Sequence, residues 1–379
     1  MKVPFQPSER SSLGVEWELE LVDRQTGELT SAASEILAEL EPEPGVEHPK
    51  AKHELLESTI EIITGICQTV DEACNDLAGT LDEVRTAADR RSIDVMCSGT
   101  HPTTDWMTQQ ISPNPRYQQL VENMQWLARR LQIFGVHVHV GVRSFEKAIP
   151  INNALTAYVP HFLALSASSP YWIGSDTGLA SARSKVFEGL PTAGLPYSLT
   201  GWDDFEDYLE TLISTKTIET IREVWWDIRP HPNFGTVELR ICDGLPTLEE
   251  IGVVAAMSQC LVESFDRQLD RGYTLPTPKS WVVRENKWRA ARYGLDAEII
   301  LDDHGTNIRP AREAILDLAD DLMPIARKLE CEKELARVEH VLNVGGSYER
   351  QRAAAQAADG NLRAVVALLV DEMAHGLPD

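Results

Sequence analysis

The sequence predicts an α+β fold in which helices cover the apolar face of one sheet. Two patterns lead to this prediction. Four segments alternate apolar residues with acidic, histidine or arginine residues, and a period of two is typical of a strand with one face in the core. Residues 70–92 instead repeat apolar residues every three to four positions, as at Leu77, Leu81 and Val84, which is typical of an amphipathic helix.

The first predicted strand, Leu13 to Leu21, has three carboxylates in succession on its polar face, those of Glu16, Glu18 and Glu20. A half-exposed strand whose acidic face meets water explains one such segment simply. The pattern nevertheless recurs in three further segments. They carry Glu57, Thr59 and Glu61 in residues 55–63, His137 and His139 in residues 136–142, and Glu238 and Arg240 in residues 237–241.

Side by side in one sheet, these polar faces would line a surface with several carboxylates, at least one imidazole and one guanidinium. Two like charges about 4 Å apart in a partly shielded site repel by roughly 4 kcal/mol, so a cation between the carboxylates is expected. Oxygen-rich ligation with one imidazole favours Mg²⁺ or Mn²⁺ over zinc. Solvent-facing histidines, and an Arg240 that only pairs with Glu238, stay open as alternatives.

The composition limits the classes of partner. The chain has 379 residues, 43% of them hydrophobic, enough for one large or two ordinary domains. Its net charge of 35 − 59 = −24 argues against nucleic acid or an anionic membrane as a partner. The six cysteines show no C-x-x-C spacing, no apolar run approaches the roughly 20 residues of a membrane span, and the first residues lack the apolar core of a signal peptide. A cytoplasmic enzyme with reduced thiols is therefore expected.

The other segments predict a scaffold around the sheet. Residues 229–232 predict a turn, and residues 169–196, rich in Gly, Ser and Pro, predict a long mobile loop with a functional role. Thr247 and Glu250 have the spacing of a capping box at the start of a long helix. Further predicted elements are a strand at residues 94–98 and helices at residues 115–131, 152–168, 203–214, 247–271, 280–293, 309–329, 332–344 and 361–375.

Basic residues in the predicted helix 280–293 offer two interpretations. Asn286, Arg289 and Arg292 repeat at three-residue spacing, which gives either a solvated face or a basic wall above an anionic ligand. No segment has the glycine pattern of a P-loop or a Rossmann site. A bound nucleotide is therefore expected to be held through metals.

Six segments resemble, in the same order, the motif series of bacterial carboxylate–amine ligases, the type 2 glutamate–cysteine ligase family. They are L-G-V-E-W-E-L, H-E-L-L-E-S-T-I-E-I-I-T, F-G-V-H-V-H-V-G-V, D-T-G-L-A-S-A-R-S, I-R-P-H-P-N-F-G-T-V-E-L-R-I-C-D and E-N-K-W-R-A-A-R-Y-G. The resemblance implies a glutamine-synthetase-like catalytic domain, whose curved and largely antiparallel sheet forms one wall of the site. It also implies a single ligase domain over residues 1–379, with a helical C-terminal part from about residue 309.

Carried over residue by residue, the resemblance implies two metal-binding groups and several ligand contacts. The implied metal ligands are Glu18 and Glu61 in one group, Glu16, His137 and Glu238 in the other, and Glu54 as a further ligand. Glu54 has the opposite parity to Glu61, so a bulge, or a strand that starts after Glu54, is needed to bring both to one site. Arg240, acting with Glu238, matches the arginine at the transferred phosphate, and Arg183 resembles a substrate-carboxylate or phosphate contact.

Two further residues are candidates for substrate or nucleotide binding. Arg289 belongs to the basic helix, and His139 stands where the broader superfamily has Asn, which leaves its role open. The implied reaction transfers the γ-phosphoryl group of Mg²⁺-bound ATP to the side-chain carboxylate of glutamate, and an amine, usually cysteine, attacks the acyl phosphate. A metal-dependent hydrolase and a non-catalytic metabolite-binding protein are the alternatives. A homodimer is expected, and the sequence does not identify the amine pocket.

Overall fold

A seven-stranded antiparallel sheet organises the protein, whose computed structural model describes residues 2–378. The strands of this sheet are β1 (Leu13–Asp23), β2 (Ala51–His53), β3 (Thr59–Ile63), β4 (Ile93–Met96), β5 (Val136–Gly141), β8 (Ile228–His231) and β9 (Thr236–Leu239). Their order is β2-β3-β1-β5-β9-β8, and β4 pairs with the second half of β1. Two small hairpins stand apart, β6 (Tyr171–Trp172) with β7 (Ser175–Asp176), and β10 (Glu298–Ile300) with β11 (Ile308–Pro310).

Fourteen helices surround the sheet within the described residues. They are α1 (Ala33–Glu39), α2 (Val70–Asp89), α3 (Pro115–Met124), α4 (Trp126–Arg129), α5 (Phe145–Leu155), α6 (Val159–Ser166), α7 (Ala182–Phe187), α8 (Trp202–Ser214), α9 (Leu248–Asp270), α10 (Ser280–Tyr293), α11 (Ala311–Leu329), α12 (Glu332–Val344), α13 (Ser347–Ala357) and α14 (Arg363–His375). None of the helices in residues 2–378 combines the length and the apolar character needed to cross a membrane.

The apolar face of the sheet forms the core, as the alternation in β1 predicts. Val15, Trp17 and Leu19 are at most 1% exposed, and the Trp17 indole donates a hydrogen bond to the carbonyl of Leu245 at 3.0 Å. Helices α2 and α9 pack against each other behind this face, α2 against β1 and α9 against β5. The Thr247 hydroxyl accepts the backbone N–H of Glu250 and caps α9, which confirms the predicted helix start.

The register of the strands aligns their polar side chains across the sheet. Glu18 of β1 lies opposite Glu61 of β3, and Glu16 lies opposite His137 of β5. His139 of β5 in turn lies opposite Glu238 of β9. Because directly opposite residues in antiparallel strands point to the same face, this register brings the predicted polar surfaces together.

Three expectations about local structure are wrong. Strand β3 begins at Thr59, so Glu57 is in the preceding turn, where its carboxylate accepts the Ser34 hydroxyl at 2.8 Å and the Ser34 N–H at the start of α1. Residues 228–231 form β8 rather than a turn, since β8 lies at the sheet edge, where Pro230 is tolerated. The helix expected at residues 115–131 is broken at Gln125, whose φ is 49°.

The long mobile loop expected at residues 169–196 is also corrected. The segment contains the β6–β7 hairpin and α7, and many of its residues are buried. The hydroxyls of Ser169 and Ser181 donate to the buried carboxylate of Asp243 at 2.6 and 2.8 Å. Side-chain contacts with a distant residue therefore order a segment whose composition resembles a loop.

Candidate active site

A cavity of about 620 Å³ opens on the polar face of the sheet. Its lining brings together every residue predicted as a metal ligand, together with His139 and Arg240. These lining residues are Glu16, Glu18, Glu54, Glu61, His137, His139, Glu238 and Arg240. The structure thus gathers in one place side chains that are up to 224 positions apart, as between Glu16 and Arg240 (240 − 16).

The first group of potential metal ligands consists of Glu16, His137 and Glu238. One ligand atom from each lies within 4.8 Å of the others. His137 Nδ1 is 3.0 Å from a Glu16 oxygen, and His139 Nε2 is 3.3 Å from the other Glu16 oxygen and 3.7 Å from Glu238. Two carboxylates and one imidazole therefore converge, with a second imidazole beside them.

The second group consists of Glu18, Glu61 and His137, again with ligand atoms within 4.8 Å of one another. The Gly135 N–H donates to Glu18 Oε2 at 2.5 Å and fixes that carboxylate. Because His137 belongs to both groups, they share a wall of the cavity. The motifs imply the same carboxylates for each set but assign His137 to the first set alone, and metal binding by these residues stays a prediction.

The pKa values of the two histidines of β5 shift in opposite directions. Burial, with the Arg240 charge, lowers the pKa of His137 to about 4, so its imidazole is neutral at pH 7 and has a nitrogen lone pair to offer a metal. Burial also acts to lower the pKa of His139, but the carboxylates of Glu238 and Glu16 outweigh it and raise that pKa above its ordinary value. His139 is therefore the better cation and His137 the better ligand.

The carboxyl groups of the second group are crowded together, and the protein does not supply enough positive charge to ionise them easily. Burial and the Glu54 charge raise the pKa of Glu18 to about 8. Burial and the charges of Glu16, Glu54 and Glu18 raise the pKa of Glu61 well above its ordinary value. Such crowding is relieved by a divalent cation, which replaces the protons, and the oxygen-rich donor set suits Mg²⁺ or Mn²⁺. The residues present therefore fit a divalent metal.

Glu238 lies between two arginines. Arg229 donates from Nε and from a terminal nitrogen to Glu238 Oε2 at 3.0 and 2.5 Å, and Arg240 pairs with Oε1. Burial acts to raise the pKa of Glu238, but the two guanidinium charges hold it well below its ordinary value. Arg229 also donates to the carbonyls of Ile221 and Val224 at 2.9 and 3.0 Å. The guanidinium of Arg229 thus donates to other residues of the protein, whereas Nε of Arg240 has no partner among the described residues.

Arg183 and Arg289 are not where the sequence placed them. Arg183 is 3% exposed and lies behind the cavity wall, where it donates to the carbonyls of Arg240 and Ile241 at 3.3 and 3.4 Å. Arg289 pairs with Glu285 at 2.9 Å on the outer side of α10 and does not line the cavity. Neither arginine lines the cavity. The solvated face offered as the alternative for Asn286, Arg289 and Arg292 is also wrong, because Asn286 is 4% exposed and bonds the backbone of Ile300.

Strand β3 starts after Glu54, as the difference in parity requires, and Glu54 lines the same cavity as Glu61, but it joins neither ligand group. Its carboxylate accepts the N–H of Leu55 at 2.5 Å, and burial raises its pKa. Sequence reasoning missed several lining residues besides Arg229. These are Lys52, His53, Arg116, Tyr117, Arg222, Trp225, His231 and Phe234. The alternation of Arg229 and His231 was a usable signal, but the prolines around them favoured a turn.

A family model matches residues 12–368, and its description is glutamate–cysteine ligase family 2. The chain belongs to this family. A relative in Frankia alni, provisionally named glutamate–cysteine ligase 2-1, is 62% identical over 100% of this chain and 99% of its own length. A relative in Thermobifida fusca, provisionally named glutamate–cysteine ligase 2, is 55% identical over 100% of this chain and 94% of its own length. This chain is therefore a glutamate–cysteine ligase-like enzyme.

Solved structures support the fold of this family 2 member. A glutamate–cysteine ligase from Francisella tularensis, solved with AMP, has a TM-score of 0.66 and 14% identity over 98% of this chain and 94% of that one. A bifunctional glutathione synthetase from Pasteurella multocida has a TM-score of 0.68 and 15% identity. The matched region covers 97% of this chain and 53% of that longer protein. At these identities the likeness concerns the fold alone, and it confirms the expected α+β, glutamine-synthetase-like architecture.

Proposed function

We propose that this enzyme joins the side-chain carboxylate of glutamate to an amine, with cysteine as the amine, and that it hydrolyses ATP to ADP and phosphate in doing so. The observation that carries the proposal is the convergence of two ligand groups, sharing His137, beside Arg240. Carboxylates for divalent metal next to an unfilled guanidinium are the arrangement that phosphoryl transfer needs. The names of the Frankia and Thermobifida relatives support the choice of glutamate and cysteine. We also propose that residues 1–379 act as one ligase domain.

Glu18 and Glu61 would hold one divalent ion, and Glu16, His137 and Glu238 another. Bound Mg²⁺ supplies charge neutralisation for the phosphates of ATP. Without it, the acidic cavity and the net charge of −24 would repel a polyanion. The protein contributes the fixed positions of the ligands, since the strand register holds them and the Gly135 N–H orients Glu18.

Arg240 would meet the charge that develops on the transferred phosphoryl group. One of its nitrogens pairs with Glu238, and its backbone N–H donates to the carbonyl of Asp227 at 2.8 Å. Arg229 holds the other oxygen of Glu238, so the carboxylate stays in place when Arg240 engages a ligand. Fixed cations of this kind stabilise a transition state without reorganisation of water.

The reaction has two steps. A glutamate side-chain oxygen attacks the γ-phosphorus, the bond from that phosphorus to the bridging oxygen breaks, and ADP leaves. The amine nitrogen then attacks the acyl carbon of the resulting acyl phosphate, and phosphate and one proton are released. A γ-glutamyl amide is the product.

The proposal is tested by measuring ADP release in a matrix of donors and amines with Mg²⁺ and ATP. We expect continuous ADP release only when glutamate and an amine are both present, because without an amine the reaction stops at the acyl phosphate, and cysteine should give the highest rate. Glutamine in place of glutamate is the matched control, because it lacks the attacking carboxylate. Continuous ADP release with neither glutamate nor an amine would show an ATPase, and turnover of an amide without nucleotide would show a hydrolase. Either result would contradict the ligase.

A further inference from the structure

A second cavity, of about 340 Å³, lies between α6, α10 and α11 and shares no lining residue with the active-site cavity. This volume is at the lower end of the range of roughly 300–1,000 Å³ typical of small-molecule sites. Its walls combine apolar residues with polar ones, four of which are aspartates. The apolar lining residues include Val282, Val283, Leu301, Ala314 and Leu318.

His161 lines this cavity and lacks a hydrogen-bond partner. The residue is 5% exposed, and its Nδ1 is buried without any partner in residues 2–378. Burial lowers the pKa of His161 to about 4, so the imidazole is neutral at pH 7 and can accept a hydrogen bond. Because burying a polar group without a partner costs free energy, an unused imidazole in a cavity points to a ligand that donates.

Tyr158 and Asp321 also line this cavity. The Tyr158 ring lies 5.5 Å from the His161 ring, centroid to centroid, and burial together with the Asp321 charge raises the pKa of Tyr158. Asp321 is exposed and forms no ion pair within the described part of the chain. An aromatic ring, a neutral imidazole and an unpaired carboxylate therefore face one space.

Two of the other carboxylates of the cavity, those of Asp317 and Asp302, already have partners. Asp317 of α11 pairs with Arg309 of β11. Asp302 accepts the backbone N–H groups of His304 and Asn307 in its own loop, at 2.7 and 2.6 Å. Among the described residues, the cavity carboxylates without a side-chain partner are thus those of Asp321 and Asp303.

We propose that this cavity binds a small aliphatic amine as its ammonium ion. The ammonium group donates to the Asp321 carboxylate and to the imidazole of His161, the Tyr158 ring offers a cation–π face, and the alkyl chain packs on the apolar walls. A metal ion is the less suitable occupant, because the ligand groupings found within residues 2–378 both lie in the active-site cavity. The inference goes beyond the proposed ligase reaction and does not depend on it.

Isothermal titration calorimetry with butylamine, at fixed ionic strength and with full-length protein, tests this site. We expect one site per chain, and no binding of 1-butanol, which has the same alkyl chain without the charge. Asp321→Asn should weaken butylamine binding about tenfold or more, since it removes a charge-assisted hydrogen bond. The matched control is Asp320→Asn, which removes the same charge from the neighbouring exposed position of α11 outside the cavity, and it should change the affinity less than about twofold.

His161→Phe should also abolish binding, and because this buried change can affect folding, the surface variants at positions 320 and 321 keep the test decisive. Equal weakening by both Asn substitutions would show that butylamine is attracted only by the overall negative charge, and it would overturn the inference. The inference would also be overturned if the wild-type protein bound neither butylamine nor 1-butanol. ADP release plays no part in this titration, so failure of the ligase proposal would leave its outcome unaffected.

Discussion

Replacing Arg240 with lysine should reduce turnover while leaving the fold intact. The guanidinium of Arg240 uses one nitrogen on Glu238 and keeps Nε without a partner among the described residues, and its side chain is 14% exposed to the cavity. A lysine ammonium keeps the charge but loses the planar fork. Since it would remain beside Glu238, it could not also reach the transferred phosphoryl group.

Loss of one fixed donor to a developing oxyanion costs about 10²–10³ in kcat, or roughly 2.7–4 kcal/mol. We therefore expect Arg240→Lys to lower kcat at least about 100-fold, with a far smaller change in KM for ATP. The assay is steady-state ADP release with glutamate and cysteine, accompanied by urea denaturation of the same preparation. A folded variant that keeps kcat within about threefold of wild type would refute the reasoning, and Arg240 would then be a structural partner of Glu238.

Arg229→Lys is the matched comparison. The guanidinium nitrogens of Arg229 donate hydrogen bonds to Glu238 and to the carbonyls of Ile221 and Val224. Its substitution therefore removes contacts within the protein. We expect the free energy of unfolding to fall by about 1–3 kcal/mol, because buried acceptors lose their donor. A variant with unchanged stability and a kcat loss as large as that of Arg240→Lys would assign the phosphoryl contact to Arg229 instead.

Three further predictions concern metal, nucleotide and acid. ATP should bind at least about tenfold more tightly with Mg²⁺ than in EDTA, because the chain carries a net charge of −24 and lacks a P-loop; equal affinities in calorimetry would place the nucleotide elsewhere. Glu61→Gln should weaken Mn²⁺ binding about tenfold or more, whereas Glu313→Gln, on the surface of α11, should not. Burial lowers the pKa of His101 to about 4, so its contribution to stability is present above pH 6.5 and is lost as pH falls towards 4, by about 3 kcal/mol. The variant His101→Asn can still accept the Thr104 N–H but has no imidazole to protonate. Urea denaturation at pH 7 and pH 4.5 should therefore show a smaller loss of stability in this variant than in the wild type. If the two proteins lose the same stability, His101 is not the cause of the acid sensitivity.

The two-faced strands could be predicted from the sequence because their alternation is a local property. Leu13 to Leu21 and Val136 to Gly141 show it over their whole length, and both segments are strands in the structure. The polar faces converge because Glu18 lies opposite Glu61 and Glu16 opposite His137, and this register depends on pairing between distant segments. The sequence pattern could suggest such a site, whereas the pairing that builds it is a tertiary property.

The errors have physical causes of the same kind. Arg289 and Asn286 are three residues apart, but Asn286 is 4% exposed and bonds the backbone of Ile300, while Arg289 points outward to Glu285. Which side of α10 faces the protein depends on what packs against it. Arg229 was missed because prolines around it favour a turn, and an edge strand tolerates them.

The fate of labelled oxygen tests the central claim most directly. Glutamate carrying ¹⁸O in its side-chain carboxylate should pass one ¹⁸O atom to each phosphate released with ADP, because the oxygen that attacks the γ-phosphorus leaves with phosphate when the amine displaces it. Mass spectrometry of the phosphate formed in the presence of Mg²⁺, ATP and cysteine measures this transfer. Phosphate with one ¹⁸O per molecule is the predicted result. Unlabelled phosphate would mean that water attacks ATP directly, and it would contradict the acyl-phosphate ligase.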